Sequence, residues 1–447
     1  MSQSPFVLRI AGVVTVLALV GCAAPASPTP TSAGPATDAP ATDAPATDAP
    51  ATDAPATDAP SGDPIVVGSS LSQTGIFGAT GIIHDIAGHQ FVEQLNEEGG
   101  LLGRPVEWTI LDDASDATVV PDLYERLITQ EEVDLLMGPY ATPLIVAALG
   151  VAERHGLVLP HHTSVHRPFM NYECQFPGWS IGPTPNEFVP NQLYDMLASL
   201  PDPPETIAFV TNETGSTGYV VHGRADVEEP GALSIAEDRG LEVVADINYT
   251  PSAEHTWDAI AAELQAAEPD FIFMSTLGVD SSNLLTAMEQ IGYRPPLAFS
   301  LFPAPGPLLA AGELADGHLS VSMFEPNEPI LEAMGPEVRS IVEEFEARAE
   351  AADLPYTVFE TQATGSWTAW EILAEGVRGA DSLDHEAICD YLLENGADTT
   401  FHGHLTFDPA DGNYWPTTQG IKQIQGGDWV MVWPEDKAAA PPVGPSN

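Results

Sequence analysis

Lysine is almost missing from this chain of 447 residues: Lys422 and Lys437 are the only two, and arginine raises the basic total only to 13. Against these stand 65 acidic residues, a formal charge of −52. A surface so short of positive charge repels phosphate backbones and anionic headgroups, which excludes nucleic-acid binding through a basic patch. Like charges repel over a Debye length of about 10 Å at 0.1 M salt, so a salt-rich surrounding suits such a fold, although compositional drift accounts for the excess equally well. Cysteine is scarce too. Cys22, Cys174 and Cys389 are the only three and no two are spaced C-x-x-C, which excludes a structural zinc site. No G-x-x-x-x-G-K-[ST] phosphate loop occurs, since neither lysine follows a glycine. Long apolar runs are also missing. The one early run, Ile10 to Val20, is about half the ~20 residues a membrane-spanning helix needs.

That run follows Arg9 and ends in Leu19-Val20-Gly21-Cys22, the layout of an export signal. The ending resembles the bacterial lipobox, in which the cysteine is lipidated and becomes the new N-terminus. Residues 1–21 are therefore expected to be a lipoprotein signal peptide and Cys22 the lipidation site; the alternative is a chance cysteine after an ordinary signal. Residues 22–62 contain Ala-Thr-Asp-Ala-Pro five times in succession, from Ala36 to Pro60. With no aromatic and little to bury, this stretch cannot offset its ordering entropy, and its regular prolines favour an extended tether. Cys174 and Cys389 remain as a pair. In an exported chain they form either a disulfide or two buried thiols.

From Pro64 onward strand and helix signals alternate, the mark of a parallel α/β sheet. Short apolar runs read as strands at 65–68, 106–111, 133–137 and 157–159, then at 207–210, 243–247 and 271–274. Helical periodicity covers 82–98, 119–128, a stretch through Ala152, 257–266, 282–291, 337–352 and 359–377. Two βα series in succession predict two doubly wound, Rossmann-like lobes. Ligands of open α/β sheets bind beyond the carboxyl ends of the strands. The loops of interest are therefore 71–80, 138–143, 160–163, 211–219, 275–280 and 300–302.

Several of these segments together resemble one family. Asn96-Glu97-Glu98-Gly99-Gly100-Leu101-Leu102-Gly103-Arg104-Pro105, Asp112-Asp113-Ala114-Ser115-Asp116, Gly138-Pro139-Tyr140-Ala141-Thr142 and Gly403-His404-Leu405-Thr406-Phe407-Asp408 follow the order and spacing of the bacterial leucine/isoleucine/valine-binding receptors. The likeness runs from Pro64 to about Trp433. It implies a type I periplasmic-binding fold with three crossovers: 63–183 and 326–412 as lobe I, 184–325 and 413–437 as lobe II, 438–447 as a disordered tail. It also implies a monomer without cofactor that serves an ABC permease and a separate ATPase from the outer face of the cytoplasmic membrane or the periplasm. By position the resemblance assigns Thr142 to the ligand's carboxylate and His161 and Thr163 to the next strand-end loop. Thr80 and Tyr140 fall in the first lobe's ligand loops, and Thr217, Leu277 and Phe302 in those of the second. For the threonines, helix capping and turn chemistry are the competing roles.

The chain also departs from that pattern. The amino-acid receptors of the family hold the ligand's ammonium with an acidic residue near the 300–305 loop, yet no Asp or Glu occurs between Arg294 and Gly312. Asp280 is the nearest substitute. A buried ammonium without a countercharge costs several kcal/mol, so an amide, a urea-like compound or a carboxylate without an α-amino group fits better. His161, His162, His166 and Arg167 invite a metal or anion site, but no carboxylate or cysteine recurs nearby at metal spacing. Gly178-Trp179-Ser180-Ile181-Gly182 matches the G-x-S-x-G nucleophile pattern, but Pro177, Pro183 and Pro185 around it predict an extended crossover and no nucleophile elbow. A solute receptor is the expected function; a ligand-sensing module of the same fold is the alternative, and a hydrolase the weaker one.

Overall fold

A computed structural model describes residues 59–162, 171–182, 184–213, 216–225, 228–250, 257–294, 297–416 and 419–444. The signal peptide, Cys22, nearly all of the tether, Thr163, His166 and Arg167 lie outside the described residues. The described residues belong to the compact unit Thr57–Asn447.

The strands in chain order are β1 (Ile65–Leu71), β2 (Val106–Asp112), β3 (Leu135–Leu136), β4 (Leu159–His161), β5 (Gln175–Pro177), β6 (Thr206–Asn212), β7 (Glu242–Tyr249), β8 (Phe271–Gly278), β9 (Ala298–Pro303), β10 (Leu319–Ser322), β11 (Ala397–Thr399), β12 (Gly403–Leu405), β13 (Gly420–Gln425) and β14 (Asp428–Trp433). In the first lobe β1 runs parallel between β2 and β3, and β4 pairs with β5. The second lobe holds a seven-stranded sheet in the order β14-β13-β10-β9-β8-β6-β7, parallel except where β13 joins β10 and β14. The chain passes from the first lobe to the second after β5, returns after β10, and passes over again before β13. These are the three crossings of two doubly wound α/β lobes.

The sequence explains where elements start and stop. β1 and β8 are almost wholly buried runs, as parallel strands covered on both faces must be. The helix Thr142–His155 ends at Gly156, whose φ of 67° is the left-handed cap that glycine accepts without strain. Leu157 then gives its amide to the Ala152 carbonyl to close that helix. This is why β4 begins at Leu159, two residues later than the apolar run predicts. The helices Gly78–Glu97 and Thr361–Ala380 pack across the first lobe. At Gly88 a Cβ would lie 2.4 Å from the Trp108 ring, so only glycine allows that approach.

Residues 438–444 depart from the expected disordered tail. Ala439 donates its amide to the Met431 carbonyl, Val443 donates to Gln423 Oε1, and Gln425 Nε2 donates to the Pro441 carbonyl. Two glutamines thus hold a proline-rich segment that has no regular structure of its own. Cys174 and Cys389 are joined by a disulfide between the start of β5 and the helix His385–Asn395, with a Cα–Cα distance of 5.3 Å.

Candidate functional site

The loop after β1 meets the end of β8. A Cβ on Gly278 would stand 2.9 Å from the Ile76 carbonyl oxygen, so the two lobes touch at the mouth of the cleft. Two small cavities, of about 20 and 10 Å³, lie beside these loops.

Between these loops runs a row of rings. His84 and His162 lie edge to face at 4.4 Å between centroids, and Tyr140 packs 5.0 Å from His84 and 5.1 Å from His162. His162 in turn meets Trp179 at 5.3 Å, and Trp179 meets Phe302 at 5.6 Å. The row begins in the first lobe, passes through the first crossing at Trp179, and ends on β9 of the second. Edge-to-face contacts of this kind match the positive rim of one ring with the negative face of the next. Leu277 is half-buried and packs against the cores of both lobes.

Ala141 brings the chain into this site at φ 73°, a conformation that residues with a Cβ rarely adopt, directly before the helix Thr142–His155 begins. Such backbone strain persists only where the surroundings enforce it. It places Thr142, 8% exposed, at the helix N-terminus, where amides and dipole favour a negative or oxygen-bearing group. Thr80 and Gln362 flank the Tyr140 hydroxyl. Burial, with the Glu360 carboxylate nearby, raises the pKa of that phenol, which stays neutral. His84 is lowered to about 3 and His162 well below its ordinary value, in both cases by burial first; both rings are neutral at pH 7.

Other predicted residues turn out to be structural. His161 sits on the opposite side of its strand from His162, fully buried, with Nε2 bonded at 2.5 Å to Gln175 Oε1. The Thr217 hydroxyl donates to the Asn212 carbonyl and secures the turn after β6. Asp280 accepts the Tyr249 hydroxyl at 2.6 Å, so this carboxylate already serves the second lobe. Ser180 is 0% exposed and donates to the Trp415 carbonyl at 2.6 Å in an extended crossing. A nucleophile needs an exposed hydroxyl next to a base, and Ser180 has neither feature. No group of three or more metal-ligating side chains converges among the described residues. Sequence reasoning missed His84, Gln362 and Trp179.

One charged cluster borders the cleft. Lys422 on β13 bonds Glu325 of the second crossing at 2.6 Å and Glu360 at 3.1 Å, all three buried, with the ammonium 4.6 Å from the Trp429 ring. Glu360 caps the helix Thr361–Ala380 with its other oxygen, which accepts the Gln362 amide at 3.0 Å.

A model of the periplasmic binding proteins matches residues 64–420. The chain belongs to that family. Among the relatives of this periplasmic binding protein is the leucine-, isoleucine-, valine-, threonine- and alanine-binding protein of Pseudomonas aeruginosa, 21% identical over 327 residues, which are 71% of this chain and 78% of that one. Solved structures share the fold. The leucine-binding protein LivK of Thermotoga maritima superposes with a TM-score of 0.66 at 16% identity, covering 82% of this chain and 97% of its own. LivJ of Streptococcus pneumoniae with isoleucine gives 0.65 at 17%, covering 86% and 100%. A solute-binding protein of R. palustris with benzoate gives 0.67 at 18%, covering 86% and 98%. Among the described residues of this periplasmic binding protein no helix is long and apolar enough to cross a membrane.

Proposed function

We propose that this chain is the solute receptor of an ABC importer, exported, held to the membrane through a lipid on Cys22, and working as a monomer beside separate permease and ATPase subunits. Residues 63–183 with 326–412, and 184–325 with 413–437, act as two lobes that close like a hinge over one small organic solute. The solute lies along Thr80, Tyr140, Thr142, His162, Leu277 and Phe302, with Thr163 as a further contact from the sequence pattern. His162 takes the place first given to His161, because neighbouring residues of an extended chain face opposite sides.

The observation that carries this reading is the row of rings from Tyr140 to Phe302, which joins both lobes across the first crossing. Relatives that bind isoleucine or benzoate show that the fold takes both amino acids and aromatic acids. In this chain Asp280 is bonded to Tyr249 and Glu360 has both oxygens engaged. A ligand without an α-amino group suits such a cleft. A thermal-shift screen of amino acids, amides, ureas and aromatic acids tests it. At 100 times Kd a bound solute stabilises by about 2.7 kcal/mol, a clear rise in melting temperature. Stabilisation by leucine or isoleucine alone would reject the ligand class.

A further inference from the structure

We propose that His84, His162 and Gln362 make the first-lobe end of this cleft a neutral receptacle for a carboxamide-type edge, that is, for an uncharged planar solute carrying an N–H donor next to a C=O acceptor. The inference rests on the receptor reading and narrows its ligand. His84 Nε2, both ring nitrogens of His162 and Gln362 Oε1 make no hydrogen bond of good geometry among the described residues, although the Gln362 side chain stands close enough to His84 to oppose the effect of burial on its pKa, and all three side chains are at most 4% exposed. Buried polar atoms are nearly always paired, because an unmade hydrogen bond leaves the full cost of removing the group from water. Four such atoms on three neighbouring residues mark a place that a partner fills.

The kind of partner follows from the donors and acceptors present. A neutral imidazole offers one N–H and one lone pair, while Gln362 Oε1 only accepts. The complement is a group with at least one N–H and one carbonyl in a plane. Among the described residues Lys422 is the only basic side chain lining either small cavity apart from the histidines, and its ammonium is bonded to Glu325 and Glu360. Among the described residues Glu360 is the only acid lining them, and both of its oxygens are engaged. The flat surfaces of Tyr140, Trp179 and Phe302 beside these atoms suit an aromatic or heteroaromatic body.

Benzamide, benzoate and benzylamine have similar shapes and differ in charge, so calorimetry at pH 7.5 with these three on the full exported chain separates the cases. Benzamide is expected to bind at least tenfold tighter than the other two. Gln362→Met and His162→Phe should each weaken it tenfold or more, and His162→Gln, which keeps a donor and an acceptor, should restore part of the loss. Circular dichroism confirms that the variants fold. Failure of benzamide to bind, equal or tighter binding of benzoate or benzylamine, or unchanged benzamide affinity in both Gln362→Met and His162→Phe overturns the assignment. If small-angle scattering shows lobe closure with leucine or benzoate but not with benzamide, the amide class falls and the receptor reading stands. Closure with none of these solutes counts against both.

Discussion

Lys422 Nζ stands 2.6 Å from Glu325 Oε1 in a fully buried ion pair between β13 of the second lobe and the crossing that returns to the first. One of only two lysines in the chain is thus spent at the junction of the lobes. Glu360 joins the same ammonium from the first lobe, giving two carboxylates for one positive charge. Burial, outweighing the Lys422 attraction, raises Glu325 to about 6. Removing the lysine leaves the carboxylates uncompensated. Lys422→Met should cost about 3–5 kcal/mol in urea unfolding, and adding Glu325→Gln with Glu360→Gln should recover part of that. A loss below about 1 kcal/mol would mean that the cluster contributes little.

The buried histidines make stability depend on pH with a fixed sign. His84 takes a proton near 6.5 when unfolded and near 3 when folded, because burial penalises its charged form. Its contribution is complete above pH 6.5 and is lost as the pH falls toward 3, by up to about 1.4 kcal/mol per pH unit. His84→Phe lacks this loss. Between pH 6.5 and 4.5 the variant should therefore gain on the wild type by up to about 3 kcal/mol. A difference that stays constant with pH would show that His84 is protonated in the folded protein.

Cys174 and Cys389 close a separation of 215 residues. Cys389→Ser should lower unfolding stability by about 2–5 kcal/mol. Intact mass under alkylation, without reductant, should show both thiols blocked in the wild type. Alkylation of both would remove the disulfide from the account.

Much of the fold was legible because its signals are local. Buried strands read as short apolar runs, and helical periodicity set the end of the helix Gly78–Glu97 to within a residue. Elsewhere the reading slipped: Leu157 looks like strand but closes a helix through a local bond to Ala152, and 438–444 looks like a tail but is held by two glutamines. The same limit applies to the site. Tyr140, Thr142 and Phe302 were singled out because strand ends point to ligands. His84 and Gln362 were not, because they sit in the middle and first turn of helices, where periodicity does not separate a polar residue facing a cleft from one facing water. His161 and His162 differ only in which side of the strand they take, and sequence does not record the side.

The charge of −52 predicts a response to salt. Self-repulsion weakens as the Debye length shrinks from about 30 Å at 0.01 M to about 3 Å at 1 M. The melting temperature should rise over that range in sodium chloride. A fall would show that favourable pairs such as Arg348 with Glu93 outweigh the repulsion.

A receptor of this kind requires two lobes that open and close over a solute. Spin labels at Ile76→Cys and Val279→Cys, on the two loops that meet at the mouth, report this directly by pulsed dipolar spectroscopy. A solute that raises the melting temperature should collect the labels at the short distance seen in this structure, and the solute-free protein should add a population several ångströms wider. One unchanged distance, with and without every solute that calorimetry shows to bind, would contradict closure.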